Sequence, residues 1–237
     1  MLKKNIVSKM IYFRGCVARE KLNNIAEATE KILKHADIDY KILDNETCCG
    51  SFLLRTGFVS DAKEVMKNTL KEIGKEKIIT SCAGCYKTFK KDYNEILGVE
   101  LDVVHTSQLF NELIRTGKLE PPFLDKTVTY HDPCHLGRHI EEYDAPREVL
   151  SKISNLVEME RNKEESRCCG AGGGVRAAFP EITENIAKMR IKDAEDVGAE
   201  ILVTSCPFCI LNLRSVSEDD KKVLDLSEMI IKSSKQF

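Results

Sequence analysis

Residues 79–85, ITSCAGC, return in nearly the same form as residues 203–209, VTSCPFC. Each copy runs from a short apolar segment into a CxxC pair. Upstream of each copy lies a CCG triplet and then a single cysteine, with gaps of 31, 32 and 2 residues in the first half and 33, 36 and 2 in the second. Downstream, residues 103–108 (VVHTSQ) match residues 223–228 (VLDLSE). Because the order of all these groups is kept, the chain is a duplicated unit.

Each half of the chain contains five cysteines. The first cysteine set is Cys16, Cys48, Cys49, Cys82 and Cys85. The second cysteine set is Cys134, Cys168, Cys169, Cys206 and Cys209. Ten cysteines in 237 residues lie well below the roughly 8–10% of a disulfide scaffold, so the ordered sets are better explained as metal ligands or redox groups.

Strand and helix signals alternate along the chain. Strands are predicted at Met10–Phe13 and at residues 77–81, 101–104, 128–131 and 200–204, with weaker ones at 40–43 and 157–159. Helices are predicted at residues 21–36, 59–73, 108–115, 146–153 and 180–197, with a further one near the first CxxC pair and with Ser107 and Ser227 as helix caps. This alternation predicts an α/β fold with mainly parallel sheets, built as two tandem, similar Rossmann-like halves with pseudo-twofold symmetry.

The boundary between the halves is predicted at residues 117–126, where Pro121 and Pro122 resist regular structure. We therefore expect two cysteine-rich domains, residues 1–120 and 121–237.

Composition narrows the class of protein. Hydrophobic residues make up 42% and charged residues 31% of the chain, as in a folded globular protein. A net charge of -2 argues against a dedicated nucleic-acid binder, and the apolar runs are too short for a transmembrane segment.

The first four residues, MLKK, resemble the start of a signal peptide, but Ser8, Lys9 and Arg14 interrupt any apolar stretch. We therefore predict a cytoplasmic protein, in which disulfides are rare.

The predicted positions of the cysteines suit a negatively charged metal cluster. Every group lies at the end of a strand or the start of a helix, where free N–H groups and the helix dipole stabilise thiolates. Five thiolates per half exceed the four of a tetrahedral zinc site or of an ordinary cubane cluster. Gly50 and Gly170 permit the sharp bends needed after each adjacent pair. The zinc alternative, a Cys₄ site made of Cys82, Cys85, Cys206 and Cys209, would leave six cysteines without a role.

The motifs resemble those of the cysteine-rich CCG domain family, especially the duplicated domains in the B and D subunits of CoB–CoM heterodisulfide reductase. The motifs that carry the resemblance are FRGC at 13–16, CCGS at 48–51, TSCAGC at 80–85, HDPCHLGR at 131–138, CCGAGGG at 168–174 and CPFC at 206–209. The resemblance implies that each cysteine set holds one [4Fe-4S] cluster of the noncubane type. It also implies a disulfide or thiol substrate of low molecular weight.

Larger relatives in this family also carry CxxCxxCxxxCP runs for conventional clusters, and this sequence has none. The protein is therefore expected to take electrons from a partner, either a ferredoxin-type iron–sulfur subunit or a flavin subunit or both.

A few polar residues near the motifs are candidates for substrate chemistry. His131 and His135 flank Cys134 and are candidate proton donors. Arg14, Arg55, Arg138 and Arg176 are candidates for balancing cluster charge or binding an anionic substrate. A helix through His131, His135 and His139 is disfavoured by Pro133, so no shared metal is expected there. The glycine run at 170–174 is expected to let backbone N–H groups approach a cluster, since it lacks the context of a nucleotide-binding loop.

Two functional classes remain open. In the first, the chain reduces a disulfide, such as a heterodisulfide, to two thiols at its clusters. In the second, it only relays electrons within a flavin-dependent lactate- or glycolate-oxidising complex or a thiol:fumarate reductase.

Overall fold

The computed structural model describes residues 10–234, which form two four-stranded parallel sheets. Residues 1–9 and 235–237 lie outside the described residues, so the expectation about the N-terminal signal falls outside them too. The predicted α/β class and the two tandem Rossmann-like halves are confirmed.

The first half is built on strands β1 to β4. These strands are β1 (Met10–Phe13), β2 (Tyr40–Lys41), β3 (Ile78–Thr80) and β4 (Val103–His105). The helices between and after them are α1 (Cys16–Lys21), α2 (Asn23–His35), α3 (Ser51–Arg55), α4 (Val59–Ile73), α5 (Ala83–Lys87), α6 (Tyr93–Leu97) and α7 (Thr106–Arg115). A π-helical turn, Thr88–Asp92, joins α5 to α6.

The second half repeats the plan. Its strands are β5 (Thr127–His131), β6 (Asn155–Leu156), β7 (Ile201–Thr204) and β8 (Val223–Asp225). Its helices are α8 (Gly137–Ile140), α9 (Asp144–Ile153), α10 (Val175–Ala178), α11 (Pro180–Asp196), α12 (Pro207–Arg214) and α13 (Leu226–Ser233). No helix or strand occupies residues 116–126.

Strand order places a reversal point at the middle of each sheet. The orders are β2-β1-β3-β4 and β6-β5-β7-β8, with every pairing parallel. The chain runs outward in opposite directions from the central pair β1 and β3, and likewise from β5 and β7. In open parallel sheets, ligands bind in the crevice outside the carboxyl ends of such a central pair.

The predicted helices and strands agree best with the structure where the hydrophobic pattern in the sequence is long. Helix α4 begins at Val59 and ends at Ile73 as predicted, with Gly74 beyond it at φ +66°. The helix predicted over 21–36 is α2, which begins at Asn23 and ends at His35, and a short helix that was not predicted, α1, precedes it and ends at Lys21. The strand predicted at 157–159 lies earlier, at β6, since only Asn155 and Leu156 find partners on β5.

The predicted helix caps are wrong by two residues. His105 caps α7 and Asp225 caps α13, and in each case the side chain accepts the backbone N–H of the serine that we expected to be the cap. Gln108 and Glu228 complete two matching capping boxes. The duplication therefore extends to the way in which each last helix begins.

Equivalent helices pair across the boundary between the halves. Helix α2 packs on α13, and α9 packs on α7, so each contact is the counterpart of the other. At the first contact Asn24 donates to Glu228, and at the second Asn111 donates to Glu148. Apolar side chains of both halves join in shared core clusters. These contacts between the halves fix the two sheets relative to each other.

None of the helices within residues 10–234 combines the length and the apolar character needed to cross a membrane.

Candidate metal centre

The cysteines lie at the carboxyl ends of the central strands. Strand β1 leads to Cys16, the first residue of α1, and β3 leads to Cys82, which precedes α5. In the second half β5 leads to Cys134, and β7 leads to Cys206, which precedes α12. These positions are the crevices expected from the strand order.

The adjacent cysteines sit in loops that a glycine turns toward the crevice. Gly50 has φ +88° and Gly170 has φ +91°. The N–H of Gly50 donates to Sγ of Cys48 over 3.4 Å, and the N–H of Gly170 donates to Sγ of Cys168 over the same distance. A Cβ at Gly50 would lie 2.9 Å from Cγ of Met66, so a side chain there would require Met66 or the loop to shift.

The ten thiols form one continuous row. Successive neighbours in the row are Cys16, Cys48, Cys49, Cys85, Cys82, Cys206, Cys209, Cys169, Cys168 and Cys134. The row reads the same from either end when equivalent residues of the halves are exchanged, as pseudo-twofold symmetry requires. Cys82 and Cys206 stand at its centre and join the two sets.

One cavity between the halves is lined by all ten cysteines. It contains about 810 Å³ of empty space, part of which opens to solvent. Its other lining residues include Arg55, His135, Phe52, Gly172 and Gly173. The glycine run at 170–174 therefore contributes backbone to the wall of the cavity.

The thiols cannot all ionise by themselves. The pKa of Cys48 is lowered to about 2 by hydrogen bonds with the Cys16 and Cys49 thiols and with the N–H of Gly50. The pKa values of Cys168 and Cys206 are also lowered, chiefly by hydrogen bonds with neighbouring thiols.

The seven other cysteines have raised pKa values because thiol neighbours and burial oppose further negative charge. Cations within the row would remove this opposition, since thiolate is the metal-binding form of cysteine. The donor set therefore fits a site for several metal ions.

The zinc alternative fits the geometry less well. A Cys₄ zinc site holds four sulfurs at about 2.3 Å from one ion, and hence within about 4 Å of one another. The sulfurs of Cys85, Cys82, Cys206 and Cys209 follow one another in a row instead. Among residues 10–234 the compact ligand group is His131, Cys169 and Cys209, whose ligand atoms lie within 4.8 Å of one another. A cluster spreads its thiolates over several irons, so its ligands need not meet at one point.

Of the four candidate arginines, Arg55 lines the cavity. Its Nη2 donates to Oδ2 of Asp92 over 2.7 Å. Lys87, almost buried, pairs with the same carboxylate. Two cations thus share one anion, which leaves a net positive charge beside the cavity.

The other three arginines are bound elsewhere and do not line the cavity. The Arg14 side chain contacts Glu46, which also accepts the backbone N–H of Arg14. Arg138 is exposed and donates to the carbonyl oxygen of Ser166 over 2.6 Å. Arg176 donates to Oδ1 of Asn212. Their closeness in sequence to the cysteines therefore does not bring their guanidinium groups to the cavity.

The two candidate histidines occupy different surroundings. His135 lines the cavity, and burial followed by the nearby Arg55 and Lys87 charges lowers its pKa. His131 ends β5 and is fully buried behind the second cysteine set. Burial, and then the Arg190 guanidinium, lower the pKa of His131 to about 3.

Three charged residues near the cysteines were not found from the sequence. They are Lys87, Asp92 and Arg190, which lie in α5, in the π-helical turn and in α11. Lys87 and Asp92 fall within a few residues after the first CxxC pair, which is the signal that was available. Arg190 lies in the middle of a long charged helix and carries no such signal.

Comparison with known families agrees with the resemblance in the motifs. The family model of the cysteine-rich domain called CCG matches residues 10–90 and again residues 128–214. Each match contains one complete cysteine set.

Several proteins are similar over nearly the whole chain. The D subunit of dihydromethanophenazine:CoB–CoM heterodisulfide reductase from Methanosarcina acetivorans is 43% identical over 236 residues, covering 94% of this chain and 58% of that protein. The B subunit of the fumarate reductase (CoM/CoB) from Methanothermobacter marburgensis is 34% identical over 234 residues, covering 96% of this chain and 47% of that protein. The chain thus spans about half the length of these relatives.

Among solved structures, a glutamate racemase from Bacillus anthracis matches 95% of this chain and 80% of its own, with a TM-score of 0.42 and 11% identity.

Proposed function

Because the chain belongs to the CCG cysteine-rich domain family, we propose that it is an iron–sulfur oxidoreductase subunit that reduces a disulfide to two thiols. The observation that carries this proposal is the single cavity lined by all ten cysteines. A purely structural metal site would not need ten thiols around a space that opens to solvent.

The cysteine sets are the proposed ligands of two [4Fe-4S] clusters, one in each half and both of the noncubane type. Such clusters, when bound, supply electrons one at a time and can bind sulfur at iron. Five thiols per half, two of them adjacent in a glycine-turned loop, support this ligand assignment over a four-cysteine site.

The proposed reaction consumes both electrons and protons. One disulfide, two electrons and two protons give two thiols, with cleavage of the S–S bond and formation of two S–H bonds. The residues of the chain must therefore hold the substrate and deliver protons to both sulfurs.

Arg55 and His135 are the residues that we propose to act on the substrate. The group of Arg55, Lys87 and Asp92 carries a net positive charge, which suits a substrate with anionic ends. Because its pKa is lowered, the His135 imidazole is neutral at rest and would take up a proton before it passes one to the substrate. An imidazolium formed there is a strong enough acid to protonate a departing thiolate.

Electrons are proposed to come from a partner subunit with conventional clusters, of the ferredoxin type, or from a flavin subunit. The relay function is the second candidate, since the matched relatives include the B subunit of a fumarate reductase and a probable iron–sulfur-binding oxidoreductase, FadF, of Bacillus subtilis.

Spectroscopy with a disulfide substrate separates the two candidates. The cluster-loaded protein is reduced anaerobically and titrated with a heterodisulfide while its EPR spectrum is recorded. A substrate-dependent signal supports catalysis at this chain. If the protein and its natural partner turn over no heterodisulfide, yet pass electrons to a flavoprotein, the relay function replaces the catalytic one.

A further inference from the structure

Equivalent positions in the two halves hold different side chains beside the cysteines. Phe13 and His131 each stand three residues before the first cysteine of a set. Phe13 pairs with Thr80 across the first sheet, and His131 pairs with Thr204, the equivalent residue, across the second. Both side chains are fully buried. The duplicated fold thus places an apolar ring at one cysteine set and a polar ring at the other.

His131 is held by a buried arginine. Nε of Arg190 donates to Nδ1 of His131 over 3.1 Å. Arg190 is itself fully buried and is anchored by the carbonyl oxygen of Arg161, by Asp193 and by Ser166. The orientation of the imidazole is therefore set by a side chain that has little freedom to move.

This hydrogen bond determines where the imidazole carries its proton. A guanidinium can only donate, so Nδ1 of His131 must offer a lone pair. The neutral ring then carries its hydrogen on Nε2. Nε2 is buried and has no hydrogen-bond partner among the described residues. A ring nitrogen of His131 lies within 4.8 Å of the sulfurs of Cys169 and Cys209. A protonated Nε2 has no lone pair for a metal, so it can donate to sulfur but cannot ligate iron.

The corresponding region of the first half is different. Tyr93 is fully buried near Cys49 and Cys85, the equivalents of Cys169 and Cys209, and packs on Phe89 with ring centroids 5.1 Å apart. Its hydroxyl has no hydrogen-bond partner in the described part of the chain. A phenol without an orienting partner is a weaker donor than an imidazole backed by a cation.

We propose that His131, oriented by Arg190, donates its Nε2–H to sulfur of the cluster held by the second cysteine set and gives that cluster a higher reduction potential than its counterpart in the first half. This inference rests on the proposed function, since it requires a cluster at each set. A donor to cluster sulfur stabilises the more negative, reduced state and so raises the potential. When the protein is reduced stepwise, the cluster held by the second cysteine set then accepts an electron first.

The test replaces His131 by the residue that the first half uses. Iron and sulfide are measured first in the unsubstituted protein and in His131→Phe, and both proteins are then titrated potentiometrically with EPR detection. We expect equal iron content and two midpoint potentials, of which one falls in His131→Phe by about 59 mV, a tenfold change for a one-electron couple. Tyr93→Phe is the matched variant and is expected to leave that potential unchanged.

The outcomes are distinguishable. Absence of iron from the unsubstituted protein contradicts the proposed function and this inference together. Full iron with both potentials unchanged in His131→Phe contradicts this inference alone. If His131→Phe does not fold, ¹⁵N-histidine labelling of the unsubstituted protein decides. A weak nitrogen hyperfine coupling supports a donated N–H, and the strong coupling of a coordinated nitrogen overturns it.

Discussion

The thiols of Cys82 and Cys206, which come from opposite halves of the chain, are neighbours at the centre of the row of ten cysteines. This contact makes the two crevices of a duplicated fold into one cavity. A substrate in that cavity would have access to both cysteine sets, so that each set could supply one of two successive one-electron steps.

Loss of one buried cysteine should remove one cluster and spare the other. Cys49 and Cys169 are equivalent and buried, and each lies between two other thiols of its row. We expect about eight iron per chain in the unsubstituted protein and about four in Cys49→Ser or Cys169→Ser, with a sharp loss of disulfide turnover in both. Anaerobic iron and sulfide analysis measures this, and each variant is the control for the other. Zinc in place of iron would contradict the assignment.

Alanine at Gly50 should cost more stability than alanine at Gly57. Both glycines have φ +88°, so both variants carry a left-handed strain of about 1–2 kcal/mol. Only at Gly50 does the new Cβ collide, 2.9 Å from Cγ of Met66, whereas Gly57 has open space within 4 Å. We expect a further loss of about 1–3 kcal/mol in Gly50→Ala, together with weakened iron binding. Denaturant unfolding of the two variants side by side measures the difference. Equal losses would show that the loop yields to the methyl group.

Removal of the Arg55 charge should weaken the binding of an anionic disulfide. In Arg55→Gln the net charge of the group with Lys87 and Asp92 falls from positive to zero. We expect KM to rise about tenfold with kcat nearly unchanged, comparable to one lost charge-assisted interaction. Arg138→Gln is the control, because Arg138 is exposed and bound to backbone carbonyls away from the cavity. Steady-state kinetics of the two variants should therefore diverge; a similar KM in both would argue against substrate binding by Arg55.

Acid should destabilise the protein through His105, and His105→Asn should relieve part of this effect. Burial lowers the pKa of His105 from 6.5 to about 4. In the unfolded chain His105 therefore binds a proton below pH 6.5, whereas in the folded chain it binds one only below about pH 4. The free energy of unfolding consequently decreases as the pH falls from 6.5 to about 4. Between pH 7 and pH 5 the loss is about 2 kcal/mol.

Asparagine can still cap α7 but does not titrate. We expect the stability of His105→Asn, relative to the unsubstituted protein, to improve by about 2 kcal/mol from pH 7 to pH 5, as measured by denaturant unfolding at both pH values. Asp225, whose pKa is raised to about 7 by burial, titrates in the opposite sense but is present in both proteins. A difference that does not change with pH would contradict the burial effect on His105.

Much of the fold could be predicted because its signals are local. The apolar runs of β1 and β7 and the helical period of α4 need no knowledge of distant residues, and they were placed correctly or nearly so. The helix caps were missed because a capping box depends on which side chain turns back onto the chain, and serine, histidine and aspartate can all do so. The short β6 was displaced because its place depends on pairing with β5.

The charged residues of the site show the limit of motif-based prediction. Arg14, Arg138 and Arg176 stand next to cysteine motifs in the sequence, yet each side chain finds a nearer partner. Arg190 is 59 residues from His131 in sequence and was not foreseen, although the two are hydrogen-bonded. A long side chain goes to the partner that packing brings close, and sequence neighbourhood does not determine that partner.

The duplication, the α/β class and the two sets of five cysteines could be predicted from the sequence, because they depend on repeats, hydrophobic period and residue spacing along the chain. The three-dimensional structure was needed to show that the two sets meet at Cys82 and Cys206, that Arg55 and His135 line the cavity, and that His131 lies beside Arg190. The meeting of the two sets depends on how α2 packs on α13 and α9 on α7 between the halves. The contact of His131 with Arg190 depends on where α11 lies beside β5 within the second half. Such packing fixes distances between residues far apart in the chain, and no local pattern of residues encodes those distances.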